Sequence, residues 1–177
     1  MSKLTLISSA TASGSASVEF TSGIDSTYDE YVFYFVDINP STDNSHFRFD
    51  SSISGTFGTT NKTTTWFNAF QTEANTGSGL SYDTGWDLAQ STNPQYLMAN
   101  VGSGADESGA GELHLFNPSS TTFVKHFYAR TQVYEKSNLS FDTFPAGYLN
   151  TTSAIDGIKF EMNQDNFSGN IYMFGAS

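Results

Sequence analysis

The chain has 177 residues, enough for one well-cored domain and short for two. Charged residues make up 14% and aromatics 15%, with 18 scattered acids against seven bases for a net charge of −11. With no basic patch, nucleic acid and an anionic membrane surface are set aside as partners. Without cysteine, disulfides and thiolate chemistry are excluded.

The first sixteen residues, MSKLTLISSATASGSA, read as an extended N-terminal segment. They lack the continuous apolar core of a secretory signal, and no later run reaches the roughly 18–20 apolar residues of a membrane helix. Strand patterns begin at 17–21 (SVEFT), where Val18 and Phe20 share a face. Residues 28–38 (YDEYVFYFVDI) are apolar on both faces: Tyr31, Phe33 and Phe35 on one, Val32, Tyr34 and Val36 on the other. A strand of that kind needs cover on both sides. Residues 46–50 (HFRFD) alternate cleanly, with Phe47 and Phe49 inward.

Further strands are predicted at 63–70, 95–101, 111–117, 122–134, 146–150, 154–162 and 168–175. Between them lie turn-formers such as NPSTDN, NTGSG, GSGADESGAG and NQDNFSG. Only 81–92 suggests a short helix, weakened by Gly85. About ten short, evenly spaced strands indicate an all-β chain: an antiparallel β-sandwich, jelly-roll-like, forming a single domain over 1–177.

Several motifs carry potential chemistry. A four-residue loop, Pro118–Thr121, would close a hairpin that sets His114 opposite Lys125. A one-residue slip would set it against His126 and bring Glu112, His114 and His126 together as zinc-type ligands. The favoured register leaves both histidines on an outward surface. The run from Asp37 to Asp43 begins like a calcium loop. It then carries Thr42 where glycine is needed and Arg48 where a bidentate glutamate is needed. The glycines and acids of 102–111 read as a loop tip, since the acids would repel phosphate. No nucleophile elbow is present, and no cofactor is expected. Trp66, Tyr82, Trp86 and Tyr96 are candidate platforms for sugar stacking.

The stretches SGIDSTYDEYVFYFVDINPSTDN, HLFNPSSTTFVKHFY, NTTSAIDGIKFEM and FSGNIYMFG resemble a group of tailed-phage virion proteins, particularly those of cyanophages and other marine phages. The elements that carry the resemblance are Tyr28-Asp-Glu-Tyr31, the Phe116-Asn-Pro118 turn and the terminal Ser168–Gly175 strand. The resemblance implies a virion location and a non-enzymatic β-sandwich component of the particle: a capsid decoration, a fibre or a tail-associated protein. It brings no catalytic residues. The two-faced strands add an expectation of self-association, as a trimer by analogy with virion fibres, besides contact with other virion proteins. Tyr31, Phe33, Tyr34, Phe35, Phe123, Phe127 and Tyr128 are the candidate interface residues. The alternative is a receptor module that binds a host surface glycan.

Overall fold

The computed structural model describes residues 3–176. Its strands are β1 (Leu4–Ser15), β2 (Ser17–Phe20), β3 (Glu30–Pro40), β4 (Ser45–Ile53), β5 (Thr56–Phe57), β6 (Lys62–Thr72) and β7 (Ser78–Tyr82). They continue with β8 (Gln95–Val101), β9 (Gly109–Phe116), β10 (Lys125–Glu135), β11 (Leu139–Leu149), β12 (Gly157–Met162) and β13 (Phe167–Ala176).

Hydrogen-bonded neighbours run β1-β13-β3-β9-β10 and then β8-β4-β12-β2, while β10 also leads through β11 to β6 and β7. The corner between β10 and β8 is one residue pair, Glu135 with Val101. The sheet curls so that β4 and β12 face β3 and β10. Phe160 lies 5.3 Å from Phe33 and 5.1 Å from Phe35, and Phe49 lies 5.0 Å from Phe127, between ring centroids. The path's two ends, β1 and β2, are separated in sequence only by Ala16. The chain is thus an all-β single domain of thirteen antiparallel strands in a nearly closed, barrel-like sheet. Two clearly separate sheets were expected. The twist that accumulates across a sheet this wide curls it instead, and the Glu135–Val101 pair keeps the ladder continuous round the corner.

The side-chain period of two governs burial. In β10, residues from Lys125 to Glu135 alternate buried and outward, with Phe127, Ala129, Thr131 and Val133 inside and His126, Tyr128 and Arg130 outside. The central cluster brings Phe20, Phe33, Phe35, Phe47 and Phe160 together. Burying each is worth roughly 1.5–3 kcal/mol. A second nucleus under β6 and β11 holds Trp66 against Trp86 at 4.5 Å, with Phe141 beside both.

Several elements differ from expectation, among them β5 and β7, which no sequence pattern marked as strands. Of the first sixteen residues, Leu4–Ser15 form β1, a true edge strand paired to β13; residues 1 and 2 lie outside the described residues. Residues 81–92 form no helix. The Leu88 N–H donates to the Thr64 side-chain Oγ1 and the Leu88 carbonyl accepts the Thr64 N–H, at 2.8 Å each, so its backbone serves β6 rather than a helical turn. Finally, β11 begins at Leu139 rather than 146. Its ladder with β10 is interrupted around Pro145, which has no N–H to donate, while the pairing with β6 runs on through Pro145–Trp66.

His46 packs against Trp86 and Tyr96, and its Nδ1 accepts the Asn100 N–H at 3.0 Å. Burial, reinforced by Arg48 and Lys136, holds its pKa below the ordinary 6.5. The unfolded chain therefore takes up a proton at a higher pH than the fold does. That contribution to stability is intact above about pH 6.5 and is lost progressively as pH falls from there through the lower pKa of the folded chain. Melting temperature should fall as pH is lowered below about 6.5, and His46→Gln should flatten that slope in a calorimetric pH series. An unchanged slope would assign the effect to other groups.

Candidate functional site

Among the described residues, most exposed large apolar side chains lie on the outer face of the run β1-β13-β3-β9-β10-β11-β6-β7, within which Val32 is buried. Cross-strand register lines up Leu6, Phe174, Val32, His114, Tyr128, Ala146 and Thr65 in one row. A neighbouring row carries Tyr172, Tyr34, Glu112 and Arg130, and beyond it lie Phe144, Phe67 and Tyr82. The aromatic members touch: Tyr34 meets Phe174 at 5.4 Å, Phe67 stacks on Phe144 at 4.8 Å, and Arg130 lies over the Phe144 ring at 5.4 Å. Leu6, Val36, Phe67, Tyr82 and Tyr128 are exposed, and Leu80 is 79% exposed. Large apolar side chains gathered on one face mark interaction surfaces, whereas scattered ones do not.

Several charged groups on this face have partners on it. Arg130 donates to Asp142 at 2.8 Å. The His114 ring stacks on Tyr128 at 4.5 Å; its Nδ1 lies 2.5 Å from Glu30 Oε1, and its Nε2 lies 3.5 Å from Glu112 Oε2. The latter is not a hydrogen bond: Nε2 has no hydrogen-bond partner. Burial, together with the Glu30 and Glu112 charges, raises the Tyr34 and Tyr128 hydroxyls above their ordinary pKa, keeping them protonated donors.

His114 pairs with Tyr128 rather than with Lys125 or His126, a shift of three positions from the expected register. His126 pairs with Tyr148 on the other side of β10, so Glu112, His114 and His126 do not converge. The connecting loop is eight residues long, 117–124. Asn117 donates its N–H to the Asp29 carbonyl and turns with φ of 44°, which ends β9 early. Lys125 is buried, and its ammonium donates to the carbonyls of Phe123 and Thr151 at 3.0 and 3.1 Å. The outward lysine expected beside His114 is thus an internal clamp between two loops, and burial lowers its pKa.

The proposed calcium run disperses. Asn39 donates to the Glu107 carbonyl, Ser41 binds the backbone at Asn166, Thr42 donates to Asp165, and Asp43 accepts from the Ser103 N–H. In the 102–111 loop, Glu107 accepts the Gly104 N–H at 2.6 Å.

The candidate interface set divides. Tyr31, Phe33, Phe35 and Phe127 are buried at 3% exposure or less in the chain's own core, because they share the inner parity of β3 and β10. They are therefore removed from the interface set. Tyr34 is half-buried on the outer face, and Phe123 and Tyr128 are exposed. The four sugar-stacking candidates do not form one platform. Trp66 is fully buried and is removed as a platform. Trp86 and Tyr96 are half-buried against His46, and only Tyr82 is exposed, donating to Asp87 at 2.5 Å.

Sequence reading missed a groove of about 460 Å³ where Phe116, His126, Tyr128 and Tyr148 meet Thr63 and Thr65. Gly147 lies in its floor, where a Cβ would collide with the Thr63 carbonyl oxygen. An adjoining hollow is lined by Phe116, Phe123, Val124 and His126. The alternation of β10 already places His126 and Tyr128 outward, but no local pattern shows that β11 and β6 lie alongside to complete the groove. Gly147→Val is expected to lower the melting temperature by more than about 5 °C, since backbone rather than a mobile side chain would have to move; thermal unfolding checks this.

Comparison with family models, curated proteins and solved structures found no match to this chain.

Proposed function

We propose that this protein is a non-enzymatic structural component of a tailed-phage particle, a capsid decoration, fibre or tail-associated protein that works by packing against copies of itself and against other virion proteins. The observation that carries the reading is the outer sheet face, where aromatic rows lie uncovered by the rest of the chain. The phage assignment rests on the sequence resemblance at 28–31, 116–118 and 168–175. The two facing limbs of the curled sheet suit a jelly-roll-like sandwich, and a trimer is the assembly favoured by analogy with virion fibres.

Sedimentation at tens of micromolar tests the assembly. The native chain should sediment as an oligomer. A Phe67→Ser/Tyr128→Ser variant should sediment as a monomer with its melting temperature nearly unchanged, because both side chains are substantially exposed. A monomeric native chain would defeat the reading. Imaging of the native particle, with this density located on head or tail, tests the virion assignment.

The groove of Phe116, His126, Tyr128 and Tyr148 favours a second reading as a host-glycan module. Ring faces and threonine hydroxyls line it, with no Asp, Glu, Lys or Arg among the lining residues. A glycan array on which the native chain binds and Tyr148→Ala does not would support it; silence from the native chain would remove it.

A further inference from the structure

We infer that β7 is a self-pairing edge, at which two copies of this chain join antiparallel around a two-fold axis through Leu80. This rests on the self-association reading but not on its trimer: a two-fold contact closes a dimer, and coexists with three-fold symmetry only by pairing two trimers. The strand Ser78–Tyr82 pairs with β6 on one side only. Backbone bonds from Thr72 N–H to the Gly77 carbonyl and from Asp83 N–H to the Trp66 carbonyl bracket its ladder. Gly77, Gly79, Ser81 and Asp83 thus turn their N–H and C=O groups towards β6. Antiparallel alternation turns those of Ser78, Leu80 and Tyr82 the other way, into solvent.

The devices that normally blunt such an edge are missing. Strand edges are commonly protected by charges, proline, bulges or covering loops. β7 holds no charged residue, no proline and no bulge, and Leu80 projects beside it at 79% exposure. β1, at the opposite end of the run, is interrupted by two register shifts, Leu6/Ser8 and Ala12/Ser15.

Self-complementarity selects a second copy as the occupant. With the axis at Leu80, Leu80 faces its own counterpart and Ser78 faces Tyr82 of the other copy. All three outward-facing residues then exchange hydrogen bonds. Axes at Ser78 or Tyr82 would leave part of the strand unpaired. Charge also permits it: Asp83, the acid bounding the strand, falls opposite Gly77 of the other copy rather than opposite another acid. In a chain of net charge −11, an uncharged strip is where a copy can approach without repulsion. The pair would join two eight-stranded runs, with both Leu80 side chains meeting on the outer face beside Tyr82 and Phe67.

The absence of cysteine makes the register directly testable. At a hydrogen-bonded antiparallel pair the Cα atoms lie about 5.5 Å apart, within disulfide reach. Leu80→Cys should therefore form a covalent dimer on mild oxidation. Ser78→Cys or Tyr82→Cys alone should not, because like positions lie roughly 14 Å apart along the strand. Mixing those two variants should restore cross-linking. Leu80→Lys, with circular dichroism confirming its fold, should weaken dimerisation at least about tenfold in sedimentation. If the native chain self-associates but Leu80→Cys does not cross-link, or if Leu80→Lys leaves the assembly unchanged, the β7 contact is wrong while the assembly reading stands. A native chain that stays monomeric overturns both.

Discussion

Phe160→Ala is expected to destabilise the fold by about 3–5 kcal/mol, the range for truncating a fully buried aromatic residue. Phe160 is fully buried on β12, and its ring meets four others: Phe33 and Phe35 from the facing limb, Phe20 from β2 and Phe47 from β4. It is the point at which the curled sheet touches itself. Truncation removes the ring's transfer energy and leaves a cavity whose walls belong to several strands, so the site cannot readily collapse. At roughly 2–4 °C per kcal/mol for a chain of this size, the melting temperature should drop by roughly 6–20 °C. Phe160→Leu keeps much of the volume and should lose clearly less. A drop below about 3 °C for the alanine variant would mean that the two limbs are not held together at this contact.

The second large effect lies at a charge that the core holds. Lys62 is fully buried and Asp50 is 3% exposed; the ammonium donates to the Asp50 carboxylate at 2.7 Å and to the Thr60 carbonyl at 3.2 Å. Burial pushes the Lys62 pKa down, and its contact with Asp50 opposes that. The same Asp50 oxygen, Oδ1, also accepts the Ser51 N–H at 2.8 Å. Lys62→Met would strand a buried carboxylate, at a cost of about 3–5 kcal/mol. Replacing both partners, Lys62→Met with Asp50→Leu, removes the stranded charge as well and should recover much of that loss, since buried ion pairs often barely exceed apolar packing of equal volume. Chemical denaturation of the two single variants and the double variant closes the cycle. If Lys62→Met alone proves neutral, the pair is not desolvated as its burial implies.

These two sites show different degrees of legibility. The pattern 154–162 marked a strand, and Phe160 sits in it with inward parity. The alternation of 95–101 matches β8 in both bounds, and that of 46–50 lies within β4. By contrast, Lys62 precedes the expected strand at 63–70, and nothing local distinguishes it or Lys125 from a solvated lysine. Their burial is decided by what lies across the sheet: Lys62 and Lys125 flank Leu149 from opposite sides, on the inner face.

The outer face was half legible. The apolar parity of both faces of 28–38 was visible in the chain, and so was the need for cover on both. Which face the molecule itself would cover was not. Phe33 and Phe35 are inside because β4 and β12 fold over them, and Tyr31 because Tyr28 packs on its ring and its hydroxyl is held at Asp25, while Tyr34 and Val36 remain outside.

Composition and period-two patterning by themselves determined that this is an all-β chain, where most of its strands lie and which residues share a face, because alternation is a property of the local backbone. Tertiary structure alone decided which faces meet, the three-position shift between His114 and its partner, and the strand status of Pro145 and Ser78–Tyr82. Pairing is settled by hydrogen bonds between distant residues, such as Asn117 to Asp29 and Lys125 to Thr151. No local period encodes those bonds.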